Sequence, residues 1–93
     1  MQVADIQEKI TPILRAHGVQ RASLFGSYAR GEQHDDSDID ILVEFPQGKS
    51  LLDLIDLQYA LEDVLGKKVD LGTYKSVSRY IRKYVEADQV FLL

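Results

Sequence analysis

Apolar residues recur at helical spacing in three stretches of the chain, residues 3–17, 51–65 and 76–87, and each stretch predicts a helix. Thr11-Pro12 interrupts the first stretch, so that one kinked helix and two shorter helices both fit it. A glycine follows each of the first two helices, where a left-handed C-terminal cap is favoured. The second helix has a broad apolar face, formed by Leu51, Leu54, Ile55, Leu57, Leu61, Val64 and Leu65.

Three shorter stretches, residues 21–25, 38–45 and 68–72, have the character of β-strands. In the middle one, DIDILVEF, polar and apolar residues alternate, which sends every second residue from Ile39 to Phe45 to one face of a sheet. Helices that alternate with short strands predict a single α/β (α+β) domain over residues 1–93. We expect its helices to pack on a small mixed β-sheet of three or four strands.

The charges are unevenly distributed, and this limits the partners that the chain can bind. The 93 residues have a formal net charge of −4, and five of the fifteen acids lie within residues 32–40, where no lysine or arginine occurs. Because no broad basic surface is indicated, we expect no direct binding of nucleic acid. The absence of cysteine excludes disulfides and thiolate metal sites. The apolar runs are too short for a membrane helix and no signal peptide is recognisable, so we expect a cytoplasmic protein without membrane contact.

Two aspartates, Asp38 and Asp40, lie on the polar side of the middle strand. Residues two apart share a face of a strand, with their Cα atoms about 6.6 Å apart. Carboxylates at that separation repel each other, and a cation between them turns the repulsion into attraction. Hard oxygen ligands indicate Mg²⁺ or Mn²⁺ rather than Zn²⁺. The alternative is a turn that leads into an edge strand with a solvated outer face.

A third aspartate, Asp70, lies between Val69 and Leu71 and faces away from the core if those two residues are buried. If this strand is a neighbour of the middle strand, the three carboxylates converge. Such a cluster suits two-metal catalysis of phosphoryl or nucleotidyl transfer. The alternative for Asp70 is a solvated side chain at the end of a strand.

The pair Gly26-Ser27 follows the first strand and begins a short helix that Gly31 ends. A glycine at a strand-to-helix turn lets backbone N–H groups approach an anion, and the serine adds a hydroxyl donor. Arg30, one helical turn after Ser27, adds a positive charge. These residues are candidates for binding phosphate, although a glycine-serine pair alone is also typical of a simple turn.

The combined pattern is more specific than its parts. Gly26-Ser27, ten further residues and then Asp38-x-Asp40 resemble the signature of the DNA polymerase beta-like nucleotidyltransferase superfamily. The longer strings FGSYARG and SDIDILV resemble its minimal branch, the minimal nucleotidyltransferase (MNT) domains. Asp70 matches the position of the third carboxylate of that family.

The resemblance implies a nucleotidyltransferase fold and an enzyme that works with a partner. MNT domains act as antitoxins of HEPN-domain toxins, by transferring AMP from ATP onto a tyrosine of the toxin. By motif position, Asp38 and Asp40 would bind two Mg²⁺ ions, with Mn²⁺ as a substitute. Asp70 would bind the catalytic ion and help to deprotonate the acceptor hydroxyl. Gly26, Ser27 and Arg30 would hold the nucleotide.

Two other functions compete with protein adenylylation. In one, the fold inhibits a HEPN partner by occlusion and the nucleotide is incidental, but the presence of all three aspartates does not favour this. In the other, the chain modifies a small molecule with the help of a partner chain that supplies an acceptor-binding domain. A chain of 93 residues leaves no room for such a domain, so we expect acceptor specificity to come from a partner surface.

A few further residues invite a functional interpretation. His34, in the acidic loop, is expected to be solvated rather than a metal ligand. Lys75, Arg79 and Lys83 recur at i, i+4 and i+8, which predicts a basic stripe that is either a solvated helix face or a contact for a partner. Tyr28 lies inside the motif, and the sequence assigns it no role.

Overall fold

Helices and strands alternate along the chain, as the hydrophobic pattern predicts. The computed structural model describes residues 2–34, 36–76 and 89–93. In chain order the elements are α1 (Val3–Ala16), β1 (Arg21–Phe25), α2 (Gly26–Arg30), β2 (Ile39–Glu44), α3 (Leu51–Leu65), β3 (Val69–Thr73), a 3₁₀ turn (Tyr74–Ser76) and β4 (Val90–Phe91).

The four strands form one mixed sheet in the order β3-β2-β1-β4. β1 pairs antiparallel with β2 and with β4, whereas β2 and β3 are parallel. The parallel pair needs a crossover, which α3 supplies. The predicted mixed sheet is confirmed, and the apolar C-terminal residues supply its fourth strand.

α1 and α3 pack on one face of the sheet, and the core lies between these layers. The alternation of β2 is confirmed, since its residues Ile39, Ile41 and Val43 are buried. Each of these two helices presents a narrow stripe of apolar side chains, at i, i+4 and i+8, to this core. Burial of each large apolar side chain stabilises the fold by about 1.5–3 kcal/mol. The stripes consist of Ile6, Ile10 and Leu14 in α1 and of Leu57, Leu61 and Leu65 in α3.

α1 contains a proline, and a glycine follows the C-terminal end of both α1 and α3. α1 is one helix with Pro12 inside it, so the two-helix alternative for this segment is wrong. Pro12 lacks the N–H that would bond to the Glu8 carbonyl, and both residues are exposed, so that water can reach the carbonyl. Gly18 and Gly66 follow the helices with φ of +77° and +66°, which confirms the predicted left-handed caps.

Three expectations need correction or fall outside the described residues. The buried apolar face of α3 is narrower than predicted, because Leu51 and Val64 are exposed. β2 begins at Ile39, so Asp38 directly precedes the strand rather than lying in it. The predicted helix over residues 76–87, with Arg79 and Lys83 of the basic stripe, lies outside the described residues apart from its first residue, which ends the 3₁₀ turn.

No helix in the described ranges is long and apolar enough to cross a membrane.

Candidate active site

One edge of the sheet collects the residues that the sequence singled out. β1 runs antiparallel to β2, and β3 runs parallel to it, so the end of β1 and the starts of β2 and β3 meet at that edge. In the register of the sheet, Asp40 is opposite Phe25 on one side and Asp70 on the other. Gly26, which follows Phe25 directly, therefore lies at the same edge.

Asp40 and Asp70 are paired residues on adjacent parallel strands, which lie about 4.8 Å apart. Their neighbours Ile39, Ile41 and Val69 are buried under the helices, so both aspartates project from the opposite face of the sheet. The side chains of Asp40 and Asp70 are close enough to interact electrostatically. Two carboxylic groups are thus held together on a face that the core helices do not cover.

Burial and neighbouring charges both act on the ionisation of Asp40. Burial raises the pKa of the Asp40 carboxyl, and the negative charges of Asp70 and Asp38 raise it further. The positive charge of Arg30 acts in the opposite direction. Asp38 and Arg30 are therefore both close enough to Asp40 to influence its ionisation. A bound cation would relieve the repulsion among the three carboxylates.

Gly26 is adapted to its position in two ways. Its φ of +73° lies in the left-handed region, where side chains are disfavoured. A Cβ atom at this residue would also overlap the carboxylate of Asp40. The backbone at the start of α2 can approach the acidic pair only because residue 26 has no side chain. Ser27, the next residue of α2, is half-buried and adjoins this contact between the backbone and Asp40.

Arg30 ends α2, the helix that begins at the site. Its Nε atom lies 3.2 Å from Oε2 of Glu32, in a pair whose side chains are 44% and 68% exposed. A pair so exposed contributes little to stability. The positive charge of Arg30 already acts on Asp40, from the end of the helix that begins at the site.

Comparison with known proteins identifies the family. The nucleotidyltransferase domain family matches residues 7–92. A protein of Methanocaldococcus jannaschii, provisionally named a protein adenylyltransferase, is 56% identical over 93 residues and is covered completely, as is this chain. The chain belongs to the nucleotidyltransferase domain family. Protein adenylyltransferase MntA of Thermococcus cleftensis is 43% identical, over 91% of this chain and 94% of the relative.

Solved structures share the fold of this nucleotidyltransferase. A structure provisionally described as a minimal nucleotidyltransferase has a TM-score of 0.84 at 35% identity, over 97% of this chain and 95% of that chain. A toxin-antitoxin complex with AMP-PNP gives 0.82 at 32% identity, over 94% and 72%. A tri-AMPylated HEPN toxin of Shewanella oneidensis in complex with an MNT antitoxin gives 0.75 at 27% identity, over 97% and 71%. The predicted nucleotidyltransferase fold and the MNT resemblance are thereby confirmed.

The carboxylates of this nucleotidyltransferase suit a hard divalent ion. No three acidic or histidine side chains of residues 2–34, 36–76 and 89–93 converge into a complete ligand set. The site instead offers the Asp40–Asp70 pair with Asp38 nearby. Mg²⁺ is often held by one or two carboxylates, and substrate phosphates and water complete its octahedron. The donor set therefore fits Mg²⁺ or Mn²⁺ that arrives with a nucleotide.

Sequence reasoning missed three contacts, two of which involve Tyr74. Ser23, fully buried in β1, forms a hydrogen bond with the Tyr74 hydroxyl, and the Arg21 guanidinium lies 4.2 Å from the centre of the Tyr74 ring. The polar Ser23 between the apolar residues Ala22 and Leu24 was the feature of the sequence that could have indicated a contact here. Tyr28, which had no assigned role, is buried in the core. His34 is exposed, as expected for a solvated loop residue.

The third missed contact lies directly before Asp70. The Val69 N–H donates to Oε2 of Glu62 over 2.9 Å, from the first residue of β3 to a side chain of α3. β3 lies at the edge of the sheet. The Glu62 side chain therefore accepts the hydrogen bond that a neighbouring strand would otherwise accept from Val69. Glu62 thus fixes the backbone one residue before Asp70. Nothing in the sequence distinguishes Glu62 from the other acids of α3.

Proposed function

We propose that this nucleotidyltransferase transfers AMP from ATP onto a hydroxyl of a HEPN-domain partner and so acts as its antitoxin. The names of the relatives support protein adenylylation, since two of those described above are named protein adenylyltransferases. The AMP-PNP complex and the tri-AMPylated HEPN toxin, whose chains share this fold at 32% and 27% identity, support the nucleotide and the partner.

The observation that carries the proposal is the pairing of Asp40 with Asp70 beside Gly26. Two carboxylates on adjacent strands supply the hard ligands that a nucleotide-bound metal needs. The missing side chain at Gly26 lets the backbone at the start of α2 come up against Asp40, where its N–H groups can meet a phosphate. A module that bound its partner only by occlusion would have no need for an acidic pair in which burial and mutual repulsion raise the pKa of Asp40.

The reaction is an in-line displacement at phosphorus. The acceptor oxygen forms a bond to the α-phosphorus of ATP, the bond from that phosphorus to the α,β-bridging oxygen breaks, and pyrophosphate leaves. The proton of the acceptor hydroxyl passes to the carboxylate of Asp70. Mg²⁺, when bound, lowers the pKa of that hydroxyl and neutralises charge on the triphosphate.

The residues of the chain divide the remaining work. Asp38 and Asp40 would hold both metal ions, and Asp70 would hold the ion on the acceptor side. The Ser27 hydroxyl donates to a phosphate oxygen, next to the backbone of Gly26. Arg30 places a positive charge where the triphosphate would lie. Tyrosine as acceptor, Mn²⁺ as a substitute ion, a cytoplasmic location and the absence of direct nucleic-acid binding stay predictions.

Labelled ATP tests this chemistry. The chain is incubated with its cognate HEPN-domain partner and with ATP labelled at the α-phosphorus or, separately, at the γ-phosphorus. We expect the α label on the partner and the γ label only in pyrophosphate, and we expect chelation of divalent ions to abolish labelling. A γ label on the partner would instead indicate phosphorylation. Neutralisation of the partner without any label would support occlusion.

A further inference from the structure

The exposed apolar residues of the described chain are concentrated on α3. Leu51, Leu52 and Tyr59 are 70%, 71% and 65% exposed, and Ile55 is partly exposed between them. These four residues recur at i, i+3 or i+4, and i+7 or i+8, so they form one stripe on the helix. We call this stripe the α3 ridge. It is separate from the stripe of Leu57, Leu61 and Leu65 that packs on the sheet.

The ridge has an acidic border along one side. Asp56 and Asp63, both exposed, follow Leu52 and Tyr59 by four residues and therefore lie beside them on the helix surface. Residues 51–65 contain four acids and no lysine or arginine. An apolar stripe whose charged border carries only negative residues is complementary to an apolar surface bordered by lysine or arginine.

We infer that the α3 ridge is the docking surface for the HEPN-domain partner, through an amphipathic helix or groove with a basic border; this rests on the proposed function. A contiguous exposed apolar stripe is typical of a protein interaction site, and a helix ridge fits a groove between helices. A second copy of this chain is a poorer occupant. It would bring its own Asp56 and Asp63 to the same seam, where like charges repel.

The position of α3 also separates docking from chemistry. α3 packs on the face of the sheet that carries Ile39, Ile41 and Val69, whereas Asp40 and Asp70 project from the opposite face. A partner held on the outer side of α3 therefore leaves the acidic pair uncovered. Binding of the partner should consequently survive changes at Asp70 that stop AMP transfer.

The test measures the dissociation constant of the full chain for its cognate HEPN-domain partner by calorimetry without nucleotide. In the test variant, Leu52→Ser is combined with Tyr59→Ser. Phe91→Ser is the matched control, because Phe91 is 60% exposed but lies on β4, away from the ridge. We expect the ridge variant to bind at least tenfold more weakly and the control to stay within twofold. An unchanged thermal stabilisation by Mg²⁺-ATP shows that the variant is folded.

A second pair of variants tests the charge border. Asp56→Lys combined with Asp63→Lys should weaken binding, with a larger effect at low salt, because the partner border is basic. Glu8→Lys combined with Ala4→Lys and Gln20→Lys, all at exposed positions outside α3, adds the same +4 and controls for net charge. Equal effects of the two charge variants would contradict a docking site with its own acidic border.

Three outcomes would overturn the inference. The ridge variant could bind as tightly as the wild-type chain, or bind no more weakly than the Phe91→Ser control. The chain alone could form a dimer that the ridge variant dissociates, in which case a second copy occupies the ridge. The proposed function fails on a different result: a wild-type chain that binds its partner but leaves no AMP on it. Since binding is measured without ATP, the two failures are distinguishable.

Discussion

The backbone of Gly26 lies against the carboxylate of Asp40, so closely that a Cβ atom at residue 26 would overlap it. This contact joins the end of β1 to the start of β2 and brings the turn into α2 up to the acidic pair. The glycine of the motif is therefore explained by the aspartate fourteen residues later in the sequence. Each residue limits what the other position can tolerate.

The first prediction concerns Gly26→Ala. The added methyl group must displace the Asp40 carboxylate, so AMP transfer should fall by at least tenfold. The positive φ of residue 26 should also cost about 1–2 kcal/mol of unfolding free energy. Gly66→Ala is the matched control, since Gly66 has φ of +66° but an added Cβ there meets nothing within 4 Å. It should lose similar stability and keep AMP transfer; equal loss of transfer in both variants would show that strain alone is responsible.

The second prediction concerns the pH dependence of stability without nucleotide. The folded-state pKa of Asp40 is raised above 3.8, so the folded chain binds this proton more tightly than the unfolded chain. The free energy of unfolding should therefore decrease as the pH rises from about 3.8 through the raised pKa. Asp40→Asn removes this dependence and should raise the melting temperature at pH 7 while AMP transfer is lost. A lower melting temperature for the variant at pH 7 would contradict the expectation that the charge of Asp40 destabilises the fold.

The third prediction concerns the nucleotide and its metal. ATP with Mg²⁺ should raise the melting temperature, because the ion offsets the repulsion between Asp40 and Asp70. At a hundredfold excess over Kd the gain is about 2.7 kcal/mol, which is several degrees in a domain of this size. ATP with a chelator should produce little change. An equal shift with and without the ion would indicate that the acidic pair is only a solvated part of the sheet.

The fourth prediction concerns Glu62 as a positioning residue. Glu62→Ala removes the acceptor of the Val69 N–H and should loosen β3 just before Asp70. We expect kcat to fall several-fold, with the KM for ATP nearly unchanged, because Asp38 and Asp40 do not depend on this bond. Glu62→Gln retains an acceptor oxygen and should restore most of the rate. A parallel rise of KM in both variants would point instead to a role of the Glu62 charge in nucleotide binding.

The sequence predicted those parts of the fold that depend on neighbouring residues. The bounds of α3 follow from its helical spacing and from Gly66, and the alternation in β2 identified its buried face. β4 contains two residues, too few to show a period of two. Leu51 could not be recognised as exposed, because helical spacing does not reveal how much of an apolar face a sheet will cover.

The candidate site was predictable only in part for a related reason. The alternation placed Asp40 and Asp70 on the polar sides of their strands, but their adjacency depends on the parallel pairing of β2 with β3. Contacts such as Ser23 with Tyr74 join residues 51 positions apart, and only the packed fold brings them together. These contacts depend on how distant strands pair and pack, which a local pattern of residues does not reveal.

The role of Asp70 is the central claim, and the mass of the partner after incubation with ATP tests it most directly. Asp70→Asn retains the size of the side chain and removes its charge, so we expect thermal stabilisation by Mg²⁺-ATP to remain. AMP transfer should fall by about two to four orders of magnitude, the range that general-base assistance usually supplies. Glu8→Gln, on an exposed position of α1, is the matched control and should leave AMP transfer unchanged.

The decisive measurement therefore compares the mass of the HEPN-domain partner after incubation with the wild-type chain and with Asp70→Asn, beside a growth test of toxin neutralisation. We predict AMP on the partner and rescue of growth with the wild-type chain, and neither with the variant. Full rescue by Asp70→Asn while the partner carries no AMP would contradict the enzymatic account and support neutralisation by occlusion.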